Sequence, residues 1–170
     1  MANVRQRMNY DKSYYYNLSH GPKEAISNIS CIISKDILRT PCAVKNEDRK
    51  EKMTRILNNF ALRSSRIGYC QGLSFLINFI LNMGFDEEES FWLLVYFVED
   101  IMPNEYYTNM MAVLADMRFL EKVLMTKLPK LAKHLNKYNL DLVMVAIPYF
   151  ITIFTRTSLS VTLICIKLDL

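Results

Sequence analysis

Apolar residues recur every three or four positions along most of this chain, and this spacing constrains its fold more than any other feature. Ile26, Ile29, Ile33 and Ile37 form one such series, and Pro41 ends it, because the residue before a proline is disfavoured in the helical conformation. The 170 residues include only four Gly and five Pro, which leaves few positions for the tight turns of an all-β protein. We predict a single all-α domain of several helices joined by short loops.

The same pattern predicts further helices, most of them bounded by a capping or helix-breaking residue. They cover about residues 46–65, 73–83, 87–101, 108–126, 129–137, 141–155 and 161 onward. Asp48 with Glu51, and Asp86 with Glu89, have the spacing of capping boxes at two of the helix starts. The tyrosine-rich residues 1–21 show no clear period. We therefore divide the chain into a polar N-terminal segment, 1–21, and a helical domain, 22–170.

Charge is distributed unevenly along the chain, although the net charge is only +4. Residues 1–70 carry a net charge of +7, residues 71–121 of −8 and residues 122–170 of +5. The basic residues of 49–52 flank an acid, which is typical of a solvated helix face. A nucleic-acid-binding domain usually presents a continuous basic stripe with aromatic residues for stacking. We therefore predict no nucleic-acid partner.

Cysteine and histidine are too dispersed to indicate a metal site. Cys31, Cys42, Cys70 and Cys165 contain no CxxC pair, and the two His residues lie far apart. A structural zinc site or a disulfide scaffold is therefore not expected, and reduced intracellular thiols are the default.

An apolar run near the end of the sequence leaves two interpretations open. Residues 142–155 and most of residues 157–166 are apolar, and Arg156 separates them. Joined together they could span a bilayer of about 30 Å, but an arginine near the middle costs roughly 2.5–3.5 kcal/mol. Each half alone has the length of a buried core helix, which we favour, and a tail anchor over 142–166 is the alternative.

The first motif with chemical content lies at the end of the first predicted helix. It reads Ile33-x-x-Asp36-x-x-Arg39-Thr40. A guanidinium has a planar fork of N–H donors suited to bidentate contact with phosphate. On its own, an arginine near a helix C-terminus is also explained by favourable interaction with the helix dipole.

The second motif reads Tyr69-Cys70-Gln71-Gly72. It lies directly before the predicted helix 73–83, which is apolar on nearly every side and is therefore expected to be central. The amide of Gln71 can accept one hydrogen bond and donate another at the same time. Without context, a Gln beside a Gly is most often a cap or a solvated turn residue. No His or Asn constellation supports Cys70 as a nucleophile.

In order and separation the two motifs resemble the IxxDxxR and YxQG motifs of the TBC domain of Rab GTPase-activating proteins. The similarity continues downstream in four further segments. They are residues 88–94 (EESFWLL), 106–108 (YYT), 128–131 (LPKL) and 148–155 (PYFITIFT). The resemblance covers about residues 25–155.

The resemblance implies an all-α fold and a role for each motif residue. Arg39 is the candidate arginine finger and Gln71 the candidate glutamine finger, which in this family is thought to replace the glutamine of the GTPase itself. Asp36 is expected to orient the guanidinium or to brace the loop. Tyr69 and Gly72 are expected to set the approach of the Gln71 backbone, with Ile33 and Thr40 as further motif residues.

The resemblance also implies the biochemical setting. The partner is a Rab-family small GTPase, the process is vesicle trafficking, and the protein is cytoplasmic, with peripheral association with endomembranes as a further expectation. No cofactor of its own and no metal is expected, since GTP and Mg²⁺ would be carried by the GTPase. The alternative is a non-catalytic helical module that binds a small GTPase or another partner without activating it.

The family's domain normally continues beyond the point that Leu170 reaches. We therefore expect a truncated TBC-like domain in which apolar faces such as Val143–Ile151 are exposed. Contiguous exposed apolar surface usually indicates a partner, a membrane or aggregation. We expect the chain to be marginally stable alone or completed by a second polypeptide that covers these faces.

Overall fold

The computed structural model describes residues 13–21, 26–40, 46–103 and 105–156. This part of the chain is helical and contains no β-strand. Its eight α-helices are α1 (Tyr14–His20), α2 (Ser27–Ile37), α3 (Glu47–Arg63), α4 (Leu73–Asn82), α5 (Glu87–Tyr96), α6 (Met111–Lys127), α7 (Pro129–Lys137) and α8 (Leu142–Ile151). The predicted all-α class is confirmed.

The apolar helix α4 lies at the centre of the packed core. It contacts α2, α3 and α5, and Leu73 and Ile77 on α4 are fully buried. Phe60 of α3 and Phe91 of α5 are buried with them in the same cluster. The helix ends before Gly84, whose φ of +89° favours a residue without a Cβ. The central position predicted for this segment is confirmed.

Two helix starts illustrate how capping signals compete. At α5, the side chain of Asp86 accepts from the Glu89 N–H at 2.8 Å and Glu89 accepts from the Asp86 N–H at 3.1 Å, so this capping box is confirmed. At α3 the prediction was wrong, because Asn46 is the N-cap and accepts from the Arg49 N–H at 3.0 Å. Asp48 therefore lies inside the first turn, where it pairs with Lys52 at 2.8 Å.

The segment after α5 keeps the predicted extent but changes its winding. Phe97–Ile101 continues the helix as a π-helical turn, and the Met102 N–H donates to the Phe97 carbonyl at 3.0 Å. Phe97 and Val98 remain buried. The sequence pattern of a continuous apolar face does not distinguish these two windings.

Helix α1 was not predicted, because two turns are too short to show a period. Its Tyr15 is buried against Phe91, with ring centroids 5.0 Å apart. The Tyr15 hydroxyl donates to Glu87 at 2.7 Å, which fixes α1 to the start of α5.

Helices α6–α8 follow the predicted spans, but α8 ends at Ile151 and not near Thr155. The chain leaves α8 through Ile153 and Phe154, whose φ angles of 49° and 60° end the helical conformation. None of the described helices combines the length and the apolar character that crossing a bilayer requires. The helix predicted from residue 161 onward lies outside the described residues.

Candidate functional site

The two sequence motifs meet on one side of an open cleft of about 350 Å³. The side that carries them, here called the motif wall, consists of Asp36, Arg39, Gln71, Gly72 and Phe75. The opposite side, here called the α8 wall, is formed by α8 and the turn that follows it. Its lining residues are Ile147, Pro148, Ile151, Thr152 and Arg156, with Met110 beside them.

Arg39 lies just after the end of α2, in a turn that fixes its backbone. The Arg39 N–H donates to the Asp36 carbonyl at 3.0 Å, and the next N–H, that of Thr40, donates to the Ile37 carbonyl at 2.9 Å. The Arg39 side chain is exposed and makes no ion pair with any described residue. Its guanidinium is therefore available at the mouth of the cleft.

Asp36 joins the two motifs. Its side chain is buried, and one oxygen, Oδ2, accepts from the Tyr69 hydroxyl at 2.5 Å, the Gly72 N–H at 2.9 Å and the Ser74 hydroxyl at 3.0 Å. Of the two expected roles, the geometry supports bracing of the loop, since no ion pair links Asp36 to Arg39 among the described residues. Three hydrogen bonds to one buried carboxylate hold the loop of residues 69–74 against the end of α2.

Gln71 and Gly72 form the turn that opens α4. The Gln71 side chain is exposed, and the Gln71 backbone carbonyl accepts a hydrogen bond from the Cys70 thiol at 3.7 Å. Gly72 has a φ of +105°, which favours glycine. A Cβ at Gly72 would also lie 3.1 Å from Cγ2 of Thr152 across the cleft. Glycine therefore permits both the turn and the close approach of the α8 wall.

The remaining motif residues are structural supports. Ile33 is fully buried in the core. Thr40 is also fully buried, and its hydroxyl lies 2.9 Å from the Ser74 hydroxyl and 3.2 Å from the Asp36 carbonyl. Burial first, and then the hydrogen bond to Asp36, raise the pKa of Tyr69 well above its ordinary value, so this hydroxyl stays protonated as a donor.

Cys70 is not a reactive group in this site. Burial, and next the nearby Asp36 carboxylate, raise the pKa of its thiol to about 11. A thiol in that range is overwhelmingly protonated at neutral pH and is a poor nucleophile. The contact with the Gln71 carbonyl gives Cys70 a positioning role in the turn.

The α8 wall is fixed from behind by two tyrosines. The Tyr106 hydroxyl donates to the Phe150 carbonyl at 3.4 Å and the Tyr107 hydroxyl donates to the Ile151 carbonyl at 3.1 Å. Burial, followed by the charge of Asp116, raises the pKa of Tyr106 to about 12. The Ile151 carbonyl is the last of α8 and has no partner within the helix, whereas the Phe150 carbonyl also accepts from the Ile153 N–H at 3.0 Å.

Sequence reasoning missed three residues that the site uses, and two of them carried a signal. Ser74 is a buried hydroxyl in the first turn of an otherwise apolar helix, which indicates a polar partner nearby. Arg156 is the cation that interrupts the long apolar run, and it was weighed only as a cost of crossing a membrane. Phe75 gave no signal beyond its place in an apolar helix.

Comparisons with known proteins identify the family of the chain. The model of the Rab-GTPase-TBC domain family matches residues 1–170, so the chain belongs to that family. It is 40% identical to human TBC1 domain family member 2A over 111 residues, which is 65% of this chain, and 32% identical to mouse TBC1 domain family member 2B over 156 residues, which is 88%.

The solved structure of the Chlamydomonas flagellar RabGAP TBC domain is similar, with a TM-score of 0.75 and 25% sequence identity over 89% of this chain. The chain spans 51% of that structure's chain. It spans 12% and 16% of the two curated relatives.

Proposed function

We propose that this chain accelerates GTP hydrolysis by a Rab-family GTPase, with Arg39 and Gln71 entering the nucleotide site of the partner. One observation carries the proposal. Both side chains are exposed at the same cleft, and their backbones are joined through the hydrogen bonds of Asp36. Two groups held in this way can approach one phosphoryl group together.

The chemistry of phosphoryl transfer explains why this pair is useful. Negative charge accumulates on the γ-phosphoryl oxygens, and the attacking water must be held in line with the leaving group. The Arg39 guanidinium would neutralise that charge, and an arginine supplied in trans is worth about 10³–10⁵ in rate. The Gln71 amide would accept from the water and donate to the phosphoryl group. GTP and Mg²⁺ would be carried by the GTPase.

The test is single-turnover hydrolysis of GTP by a panel of Rab proteins. We expect wild type to accelerate at least one of them, and Arg39→Ala and Gln71→Ala each to lose at least about a hundredfold of that acceleration. Arg118→Ala is the matched control, since Arg118 is an exposed arginine on α6 outside the cleft. Equal rates for wild type and both cleft variants would refute the catalytic assignment.

A second arm isolates the role of Gln71. A Rab whose own water-positioning glutamine is replaced by leucine should still respond to wild type, because Gln71 would supply that amide. It should not respond to Gln71→Ala. Loss of the response to wild type would show that the glutamine of the GTPase positions the attacking water.

The competing function is binding of a small GTPase or another partner without activation, which the same exposed cleft residues would also permit. Binding of a GTP-analogue-loaded Rab without any acceleration would select it. The expected cytoplasmic site of action, at endomembranes that carry the Rab, follows from the main proposal. It stays a prediction, as does coverage of exposed faces by a second polypeptide.

A further inference from the structure

A second arginine, Arg156, lines the cleft from the side opposite Arg39 and Gln71. It follows α8, and its side chain is exposed. Nothing in the two sequence motifs points to it. Among the described residues, it is nevertheless the one charged residue that the α8 wall contributes to the cleft.

An aromatic ring of the motif wall holds the Arg156 side chain. The guanidinium carbon lies 5.6 Å from the centroid of the Phe75 ring. Phe75 lies in the first turn of α4, where its N–H donates to the Gly72 carbonyl at 3.0 Å. Arg156 therefore reaches across the cleft to the wall that carries Gln71. A guanidinium placed over a ring keeps its N–H donors free to bind a planar anion.

The turn that places Arg156 is conformationally costly. Ile153 and Phe154 both have positive φ, which is rare for residues with a Cβ and rarer still for a β-branched one. Hydrogen bonds from the Phe154 N–H to the Tyr149 carbonyl at 2.7 Å and from the Thr155 N–H to the Thr152 carbonyl at 2.9 Å close it. Strained backbone of this kind persists where the surroundings determine it, and it is frequent at functional sites.

The charges of the cleft favour an anionic partner. Its charged lining residues are Asp36, Arg39 and Arg156. The Asp36 oxygen that faces the loop is occupied by three donors, and neither arginine makes an ion pair with a described residue. The three donors to Asp36 are neutral and leave the Asp36 charge in place, so the described lining residues carry two positive charges and one negative, a net formal charge of +1.

We infer that Arg156 binds a carboxylate on the surface of the GTPase. This contact determines the affinity for the GTPase and which GTPases bind. This inference rests on the function proposed above. Because Arg156 is anchored over Phe75, it makes the same contact before and during hydrolysis. It therefore contributes equally to binding of the ground state and of the transition state. Arg39 has no such anchor among the described residues and is free to follow the nucleotide.

The experiment measures kcat and KM on the Rab that wild type stimulates most, and Kd for that Rab loaded with a non-hydrolysable GTP analogue. We expect Arg156→Ala to raise KM and Kd about three- to tenfold with kcat within about twofold, the range for a partly exposed charge pair. Arg156→Glu should raise both further, and Arg156→Lys should restore most of the affinity. The increase should shrink at high salt, since exposed charge pairs are screened.

Arg118→Ala is the control for the loss of one positive charge elsewhere, and thermal melts confirm folding of each variant. Equal KM and Kd for Arg156→Ala and Arg118→Ala would overturn the inference. A lower kcat at unchanged KM would also overturn it, since that marks a transition-state contact with phosphate. If wild type binds and stimulates no Rab, the proposed function fails and this inference with it. If wild type is active and Arg156→Ala is unaffected, only this inference fails.

Discussion

Helices α2–α5 bury most of their apolar residues, whereas helices α6–α8 leave many of theirs exposed. In the first group, here called the packed half, Phe60, Ile77 and Phe91 are completely buried. In the second, here called the open half, Phe119 is 69% exposed and Met144 75% exposed. The sequence patterns of the two groups look alike, so the comparison shows that a helix forms from local signals while its burial depends on which elements cover it.

The candidate site lies where these halves meet. The motif wall belongs to the packed half, and the α8 wall belongs to the open half. This division implies that the packed half determines both the stability of the fold and the placement of Arg39 and Gln71.

The largest expected effect is on stability. Phe60→Ala should lower the free energy of unfolding by about 3–5 kcal/mol, because it leaves a cavity in a fully packed core. Phe119→Ala should change it by less than about 0.5 kcal/mol, because that ring is largely in solvent. Urea denaturation of both variants measures the difference. Comparable losses would show that the open half is covered in solution.

The next effect concerns the brace between the motifs. Asp36→Ala should cost about 3 kcal/mol, since it leaves the Gly72 N–H and the Ser74 and Tyr69 hydroxyls without their shared acceptor. Asp36→Asn keeps an acceptor oxygen and should cost less. At temperatures at which the Asp36→Ala variant is still folded, we also expect it to accelerate GTP hydrolysis less than wild type does. Full activity in the folded variant would contradict the positioning role.

Substitution of two glycines distinguishes the cost of backbone strain from the cost of a contact across the cleft. Both have positive φ, but a Cβ at Gly72 meets Thr152 and one at Gly84 meets nothing within 4 Å. Gly84→Ala should cost about 1 kcal/mol from the backbone alone, and Gly72→Ala about 2 kcal/mol because overpacking is added. Thermal melts measure both. Equal losses of stability would mean that the α8 wall moves away from an added Cβ at Gly72 without a loss of stability.

The smallest effect is a pH dependence within the packed half. Partial burial of Glu87 acts to raise its pKa, but the hydrogen bonds from Arg55 at 2.8 Å and Tyr15 at 2.7 Å outweigh burial and hold the pKa below its ordinary value of 4.5. A carboxyl with a lowered folded-state pKa stabilises the protein above its unfolded pKa, and this contribution is lost as the pH falls through 4.5 and below.

Glu87→Gln is the comparison variant for this effect. Stability measured against pH should decline less steeply for it than for wild type below pH 4.5. Parallel declines would show that Glu87 is not linked to folding.

Much of the fold could be predicted because helix signals are local. The Asp86–Glu89 capping box and the isoleucines of α2 depend on neighbours three or four residues away. Asp48 misled the prediction because Asn46, two residues earlier, caps α3 instead. Helix α1 carries only two turns, so its attachment to Phe91 and Glu87 had no sequence signal.

The sequence by itself determined where most of the helices form and where the motif residues Arg39 and Gln71 lie relative to them. Only the tertiary structure decided that Asp36 braces the turn at Gly72 and that Arg156 reaches Phe75 across the cleft. The physical reason is sequence separation. Capping and periodicity act within one or two turns. The contact of Asp36 with Gly72 spans 36 positions of the sequence and that of Arg156 with Phe75 spans 81, so both exist only once the helices have packed.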